Sequence, residues 1–197
     1  NDEKWRFAKL ARIKEIGRFE PTTGQAPDIT GLVEKSNRIK DVSGTIIFAD
    51  DTLAAPVALD PDLAEKGVIF TTLLEAITKH PKLVSEYFMQ QSPELGSAKY
   101  EALHVALLRN GTFLYIPDNV EITAPFVVYN WAIQANSAVF PHTLFIAGNH
   151  SKASLVEFQD SVNQESEHLI IANAHLYAGV GSKPNHTIVQ NWNLKTL

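Results

Sequence analysis

Apolar positions in the first part of the chain recur in a helix-like but loose pattern. Phe7, Leu10, Ile13 and Ile16 follow one another every third residue. That spacing slips by about 60° per step around an ideal helix, so it predicts a helix over Trp5–Ile16 with a broad buried face rather than a narrow stripe. Gly17 stops it, and Pro21-Thr22-Thr23-Gly24 with Pro27 reads as loop. Thr45-Ile46-Ile47-Phe48 predicts a strand, Asp50-Asp51 its turn, and Thr52-Leu53 the start of a return. Asp60-Pro61 suits the first turn of a short helix that Gly67 ends, because proline is tolerated at that position. Val68-Ile69-Phe70 reads as a short buried strand. Thr72 with Glu75 three residues on is a capping-box pattern opening Leu73–His80. Pro81 opens a further helix with Leu83, Val84, Tyr87 and Phe88 on one face. Ser97 caps another, in which Tyr100, Leu103 and Leu107 line up before Gly111.

After Gly111 the texture changes. Phe113–Ile116, Ile122–Tyr129, Thr143–Ala147, Ala153–Phe158, His168–Ala172, Ala174–Val180 and Thr187–Trp192 are short and rich in β-branched or aromatic residues. Pro117-Asp118-Asn119, Gly148-Asn149, Gly179 with Gly181, and Pro184-Asn185 supply turns between them. Residues 112–197 therefore read as all-β. Asn119, Asn149 and Asn173 each precede a strand, at separations of 30 and 24, which hints at stacked rungs. Pattern alone leaves a sandwich, a jelly roll and a solenoid equally open.

Composition narrows the chemistry. The 197 residues are 45% apolar and contain no cysteine, which excludes a disulfide framework, a thiolate metal site and a cysteine nucleophile within them. No apolar run approaches the ~18 residues of a membrane span, and the polar start is no signal peptide, so a soluble globular chain is expected. The net charge of −5 hides an asymmetry. Residues 1–40 carry nine Lys/Arg against six Asp/Glu, and residues 41–197 carry eight against sixteen. Lys4, Arg6, Lys9, Arg12, Lys14 and Arg18 could meet a nucleic acid, but a basic stretch without a recognisable fold is more often a solvated or partner-facing surface.

Histidine is the side chain suited to proton chemistry near neutral pH. His104, on the helix face with Tyr100 and Leu107, reads as a core or boundary ring bonded to a carbonyl rather than a catalytic base. His142, His150, His168, His175 and His186 fall in the β region without a paired ligand motif. His142 with Glu157 resembles a jelly-roll metal set only with much spacing forgiven. Asp50-Asp51 could bind a hard cation but reads as turn chemistry. Glu165 and Glu167 beside His168 sit in an exposed turn. Asn110, Asn149 and Asn185 open Asn-x-Ser/Thr triplets, read as chance in a chain without a leader. No phosphate loop, dinucleotide fingerprint or nucleophile elbow occurs.

Tyr100-Glu101-Ala102-Leu103-His104-Val105-Ala106-Leu107, followed by Gly111-Thr112-Phe113-Leu114-Tyr115-Ile116-Pro117-Asp118-Asn119-Val120, resembles the entry to the core of the SufB/SufD family. Phe140-Pro141-His142-Thr143-Leu144, Ser154-Leu155-Val156-Glu157 and Gln190-Asn191-Trp192 resemble its later blocks. Glu3-Lys4-Trp5-Arg6-Phe7 and Gly67–Ala76 favour the SufD branch. The resemblance implies an α+β chain: a small N-terminal α/β region, residues 1–111, followed by the first rungs of a right-handed parallel β-helix, 112–197. It implies a non-enzymatic scaffold component of iron–sulfur cluster assembly, cytoplasmic, with a SufB-like protein and a SufC-like ATPase as partners of the full-length protein. It implies no cofactor in this chain, the iron–sulfur cluster belonging to the whole complex. Nucleic acid and membrane are not expected partners.

Family members are much longer, so the chain is expected to stop after the first rungs, before the cluster-associated cysteine and histidine residues and the SufC-docking segment. No catalytic, cofactor-binding or metal-binding residue carries over. An exposed last rung would invite self-association. The alternative is an all-β carbohydrate-active or metal-dependent enzyme using the histidines.

Overall fold

The computed structural model describes residues 16–23, 29–91 and 98–197. The helix expected over Trp5–Ile16 and the Ser97 cap lie outside them, as do the basic residues up to Lys14. In chain order the elements are β1 (Glu20–Pro21), α1 (Leu32–Lys35), β2 (Gly44–Ala49), β3 (Thr52–Leu53), β4 (Ala58–Leu59), α2 (Pro61–Glu65), β5 (Ile69–Thr72), α3 (Leu73–Lys79), α4 (Pro81–Tyr87) and α5 (Ala98–Leu107). Then follow β6 (Thr112–Ile116), β7 (Phe126–Ala132), β8 (Ser137–Val139), β9 (His142–Ala147), β10 (Lys152–Ser161), β11 (His168–Ile170), β12 (Asn173–Ala178) and β13 (Lys183–Asn191). The class is α+β.

Local chemistry explains several boundaries. The Asp60 carboxylate accepts the Asp62 N–H (3.0 Å) and Pro61 opens α2. The Thr72 hydroxyl accepts the Glu75 N–H (3.2 Å) at the start of α3. The Glu75 carboxylate meets the Thr71 hydroxyl (2.6 Å) and Lys79 Nζ (2.5 Å), so only half of the capping box forms. Asp50 turns β2 into β3 with φ of 52°, a left-handed conformation that aspartate tolerates.

The strands lie in three sheets among the described residues. The first is ordered β5-β6-β9-β12, the second β3-β2-β7-β10-β13 with β4 also on β2, and the third β1-β8-β11. Pairing is parallel except for β2 with β3, β2 with β4 and β5 with β6. From β6 onward the chain visits the first, second and third sheets in turn, and then repeats the circuit. The repeat is 31 residues in most registers: Thr112 lies beside Thr143, Ser137 beside His168, His142 beside Asn173 and Lys152 beside Lys183. Between β7 and β10 it is 29, with Phe126 beside Leu155.

Turns stack at the same period. Asn119, His150 and Gly181 each adopt a positive φ, of 61°, 54° and 68°. Asn149 donates its backbone N–H (2.7 Å) and its amide (3.0 Å) to the Asp118 carboxylate. Its side-chain oxygen accepts the Val180 N–H (2.8 Å). Asn173 is no part of this column; it begins β12 beside His142. Two prolines read as loop or turn also belong to strands, Pro21 to β1 and Pro184 to β13. Among the described residues each of these strands pairs on one side only, where the missing N–H of proline is tolerated.

Inside the circuit of sheets, Ile46, Leu114, Phe126, Val128, Phe145 and Leu155 share one buried cluster with Phe70 and Leu63. The outer faces are covered as well. Leu73, Ala76 and Val84 from α3 and α4 lie on Phe113, Leu144 and Ile146 of the first sheet. Leu32 of α1 packs with Val127, Tyr129 and Trp131 of the second. Leu103 and Leu107 of α5 pack with Phe140, Ala138 and Leu169 at the third. Burial on both faces accounts for the apolar runs Phe126–Tyr129 of β7 and Leu144–Ala147 of β9.

Candidate functional site

The β-region histidines divide between the inside and outside of the circuit. Inside, Glu157 of β10 is buried, and its carboxylate accepts the Thr143 hydroxyl (2.6 Å) and meets His186 Nε2 (2.7 Å). The Asn130 amide donates to its second oxygen (3.4 Å). Outside, between the first sheet and α5, His104 Nδ1 lies 2.7 Å from the Ile171 carbonyl and His104 Nε2 lies 3.0 Å from His142 Nδ1. The rings of His142 and His175 meet edge to face at 5.4 Å, and Phe88, just after α4, covers His142 at 5.2 Å. The carbonyl partner expected for His104 is thus Ile171.

His142 and Glu157 are not brought together. His142 points outward beneath α5, while its neighbour Thr143 points inward to Glu157, the alternation that a strand imposes. His168 is buried in β11, with Nδ1 3.5 Å from the Ser137 hydroxyl. His150 serves the turn column. Burial pushes His104, His168 and His175 below the usual histidine range. His142 falls furthest, to about 3, through burial first and then the neighbouring His104 and His175. Among the described residues, no group of three or more His, Asp or Glu is placed to hold a metal ion.

Asp50 and Asp51 are both buried and act as anchors. The Asp50 carboxylate accepts the backbone N–H groups of Ile133 (2.9 Å) and Gln134 (3.3 Å). Asp51 accepts the Thr22 hydroxyl, and Arg109 holds the Thr22 carbonyl (2.6 Å). Burial, only partly opposed by its two backbone donors, pushes Asp50 up to about 6. The folded state therefore binds the Asp50 proton more tightly than the unfolded chain, and this group's contribution to stability falls as pH rises from about 4 through about 6. Asp50→Asn keeps one acceptor and removes the buried charge. It is expected to gain about 1–2 kcal/mol over wild type at pH 8 and to lose that gain by pH 4, read from urea midpoints.

The remaining polar candidates are structural. The Asn110 side-chain oxygen accepts the N–H groups of Leu74 (3.3 Å) and Gly111 (2.9 Å), and Asn149 belongs to the turn column. Glu165 pairs with Lys195 (2.6 Å) and Glu167 with Arg18 (2.8 Å). Composition gave no sign of a guanidinium site on the second sheet. Arg38 Nη1 lies 2.7 Å from the buried Asp160 carboxylate, and its guanidinium sits 5.2 Å from the rings of both Trp131 and Phe158. Asn191 donates to the other Asp160 oxygen (2.7 Å), so this cluster fastens the covering segment rather than opening a site.

A family model, the SufBD protein N-terminal region, matches residues 42–128, from β2 through the first half of β7. The iron–sulfur cluster assembly protein SufD of Bacillus subtilis is 34% identical over 153 residues, 78% of this chain. The chain belongs to the SufB/SufD family. SufD is the branch it is most like. The SufBD family protein ABCI8, chloroplastic, of Arabidopsis thaliana is 31% identical over 185 residues, 93% of this chain. The SufBD family protein ycf24 of Pyropia yezoensis is 30% identical over 181 residues, 91% of this chain. Those alignments take in 34%, 33% and 37% of the respective relatives, so the chain spans about a third of the curated relatives it matches. All three carry iron–sulfur cluster assembly in their names, and the carbohydrate-active or metal-dependent enzyme finds no support among them. No described helix is long and apolar enough to cross a membrane.

Proposed function

We propose that this chain forms the N-terminal part of a SufD-like scaffold component for iron–sulfur cluster assembly, without catalysis of its own. The observation that carries the reading is the similarity to assembly proteins over 78–93% of the chain. In this reading the three-sheet circuit with its 31-residue repeat is the beginning of a right-handed parallel β-helix, with residues 112–197 as its first rungs. Such a fold suits a scaffold, because each rung contacts only its neighbours and added rungs extend one continuous surface. The partners are a SufB-like protein and a SufC-like ATPase, the compartment is the cytoplasm, and the cluster is cargo of the complex rather than a cofactor of these residues.

The test is co-purification of the intact gene product, affinity-tagged, with the SufB-like and SufC-like proteins of the same genome. The expected result is a stable three-component complex that acquires an iron–sulfur chromophore on anaerobic reconstitution. A tagged protein that elutes without either partner overturns the reading.

A further inference from the structure

His104 is the one fully buried residue of α5; Leu103 and Leu107 pack only half-buried beside it. A helix normally docks through apolar side chains, and this one is anchored by an imidazole. The hydrogen bonds fix the tautomers. The Ile171 carbonyl only accepts, so His104 Nδ1 carries the hydrogen, and neutral His104 presents a lone pair at Nε2. His142 Nδ1 must then donate to that lone pair, which leaves His142 Nε2 as a buried lone pair with no partner among the described residues. Both ring nitrogens of His175 are likewise buried and without a partner among those residues.

The chain of bonds is therefore built for neutral rings. A proton added to His104 Nε2 would point at the His142 Nδ1–H and break the link between α5 and β9. The surroundings offer little to hold such a charge. From the end of α4 and the residue after it come Tyr87 and Phe88, from β12 Tyr177, whose hydroxyl donates to the Tyr87 carbonyl (2.7 Å), and from the segment before β9 Phe140. Among the described residues, the carboxylate that acts on the cluster is Glu101 of α5, through His175.

We propose that α5 is a proton-released latch, held over the corner of the first and third sheets by the neutral His104–His142–His175 stack and freed when those rings take up protons. Release uncovers Phe140, Ala138 and Leu169 together with the two strand histidines. It also loosens Arg109, just beyond α5, from the Thr22 carbonyl.

Hydrogen exchange of the intact protein tests this, with amide protection compared at pH 7.5 and 5.0 after correction for the intrinsic rate. Each histidine set free with an ordinary pKa of ~6.5 multiplies α5 opening by about thirtyfold at pH 5.0. The expected result is a loss of protection of at least about thirtyfold at residues 101–108, which remain less protected than β7 and β10 at both pH values because α5 opens without global unfolding. His104→Gln can still donate to Ile171 and accept from His142, and it should lose about thirtyfold less than wild type on the same pH change. Equal α5 protection at the two pH values, protection at 101–108 as high as that of β7 and β10, or an unaltered loss in His104→Gln overturns the latch. Independently of any variant, long-range proton–nitrogen correlation spectra of wild type at pH 7.5 should show the Nδ1–H tautomer at both His104 and His142. An Nε2–H tautomer at His104 overturns it as well.

Discussion

Phe126→Ala is expected to lower the stability of the protein by about 3–5 kcal/mol, read as a fall in the urea midpoint with little change in slope. Phe126 is fully buried at the start of β7, where it lies in register between Gly44 of β2 and Leu155 of β10. Its ring meets that of Phe70 from β5 at 4.9 Å and 55°. Such aromatic pairs add about 0.5–1.5 kcal/mol beyond area burial. Gly44 makes room for the pair, since a Cβ there would come within 2.6 Å of the Phe70 ring. The packed sheets around the site cannot collapse into the space, so the cavity term remains large. Phe126→Leu retains most of the volume but loses the ring pair and should cost about 1–2 kcal/mol. The same cluster takes Ile46, Phe48, Leu63 and Phe70 from one side of position 112 and Leu114, Val128, Phe145 and Leu155 from the other. Secondary structure from both stretches should therefore be lost in one transition. A Phe126→Ala protein within about 1 kcal/mol of wild type would show that this cluster does not hold them together.

Elements set by local chemistry could be read from the sequence. Asp60-Pro61, Thr72 and Pro81 open α2, α3 and α4 where their side chains and ring geometry require. The β-branched and aromatic residues of Thr45–Phe48 and Phe113–Ile116 pointed to strands that form within a residue or two. What could not be read was the register. The 31-residue repeat is carried by the backbone of stacked turns, and its equivalent positions hold Asn119, His150 and Gly181, three residue types that share only a tolerated positive φ. Counting asparagines therefore led to separations of 30 and 24. Strands β1 and β8 are two and three residues long and depend on pairing rather than on propensity.

The histidine stack was hidden for the same reason. His104, His142 and His175 have no ligand-like spacing, and their meeting depends on register. Once His142 is placed beside Asn173, His175 falls two residues further along the same outward face. The inward pairing of Glu157 with His186 follows by the same reasoning, since Leu155 lies beside His186 and Glu157 shares its face. A weak signal was present, because a histidine in the apolar register of α5 is an exception that calls for a partner.

His142→Leu is expected to exchange stability at neutral pH for stability in acid. Folding holds His142 at about 3, whereas in the unfolded chain it titrates near ~6.5, so between these values the unfolded state binds more protons. Wild type therefore loses stability as pH falls below 6.5, by about 5 kcal/mol from this residue alone once pH nears 3. The lowered values of His104, His168 and His175 act in the same direction. Asp50 acts in the opposite direction between about 4 and 6, but it is one group worth about 3 kcal/mol at most. At pH 7.5 the variant leaves His104 Nε2 without its donor and should be about 1–3 kcal/mol less stable than wild type. In acid it no longer carries the His142 term, so its stability falls less steeply and the two curves should cross near pH ~5. Urea midpoints collected from pH 8 to pH 4 measure both lines. Parallel curves across that range would mean that His142 is protonated alike in the folded and unfolded chain, which its burial beneath Phe88 and α5 opposes.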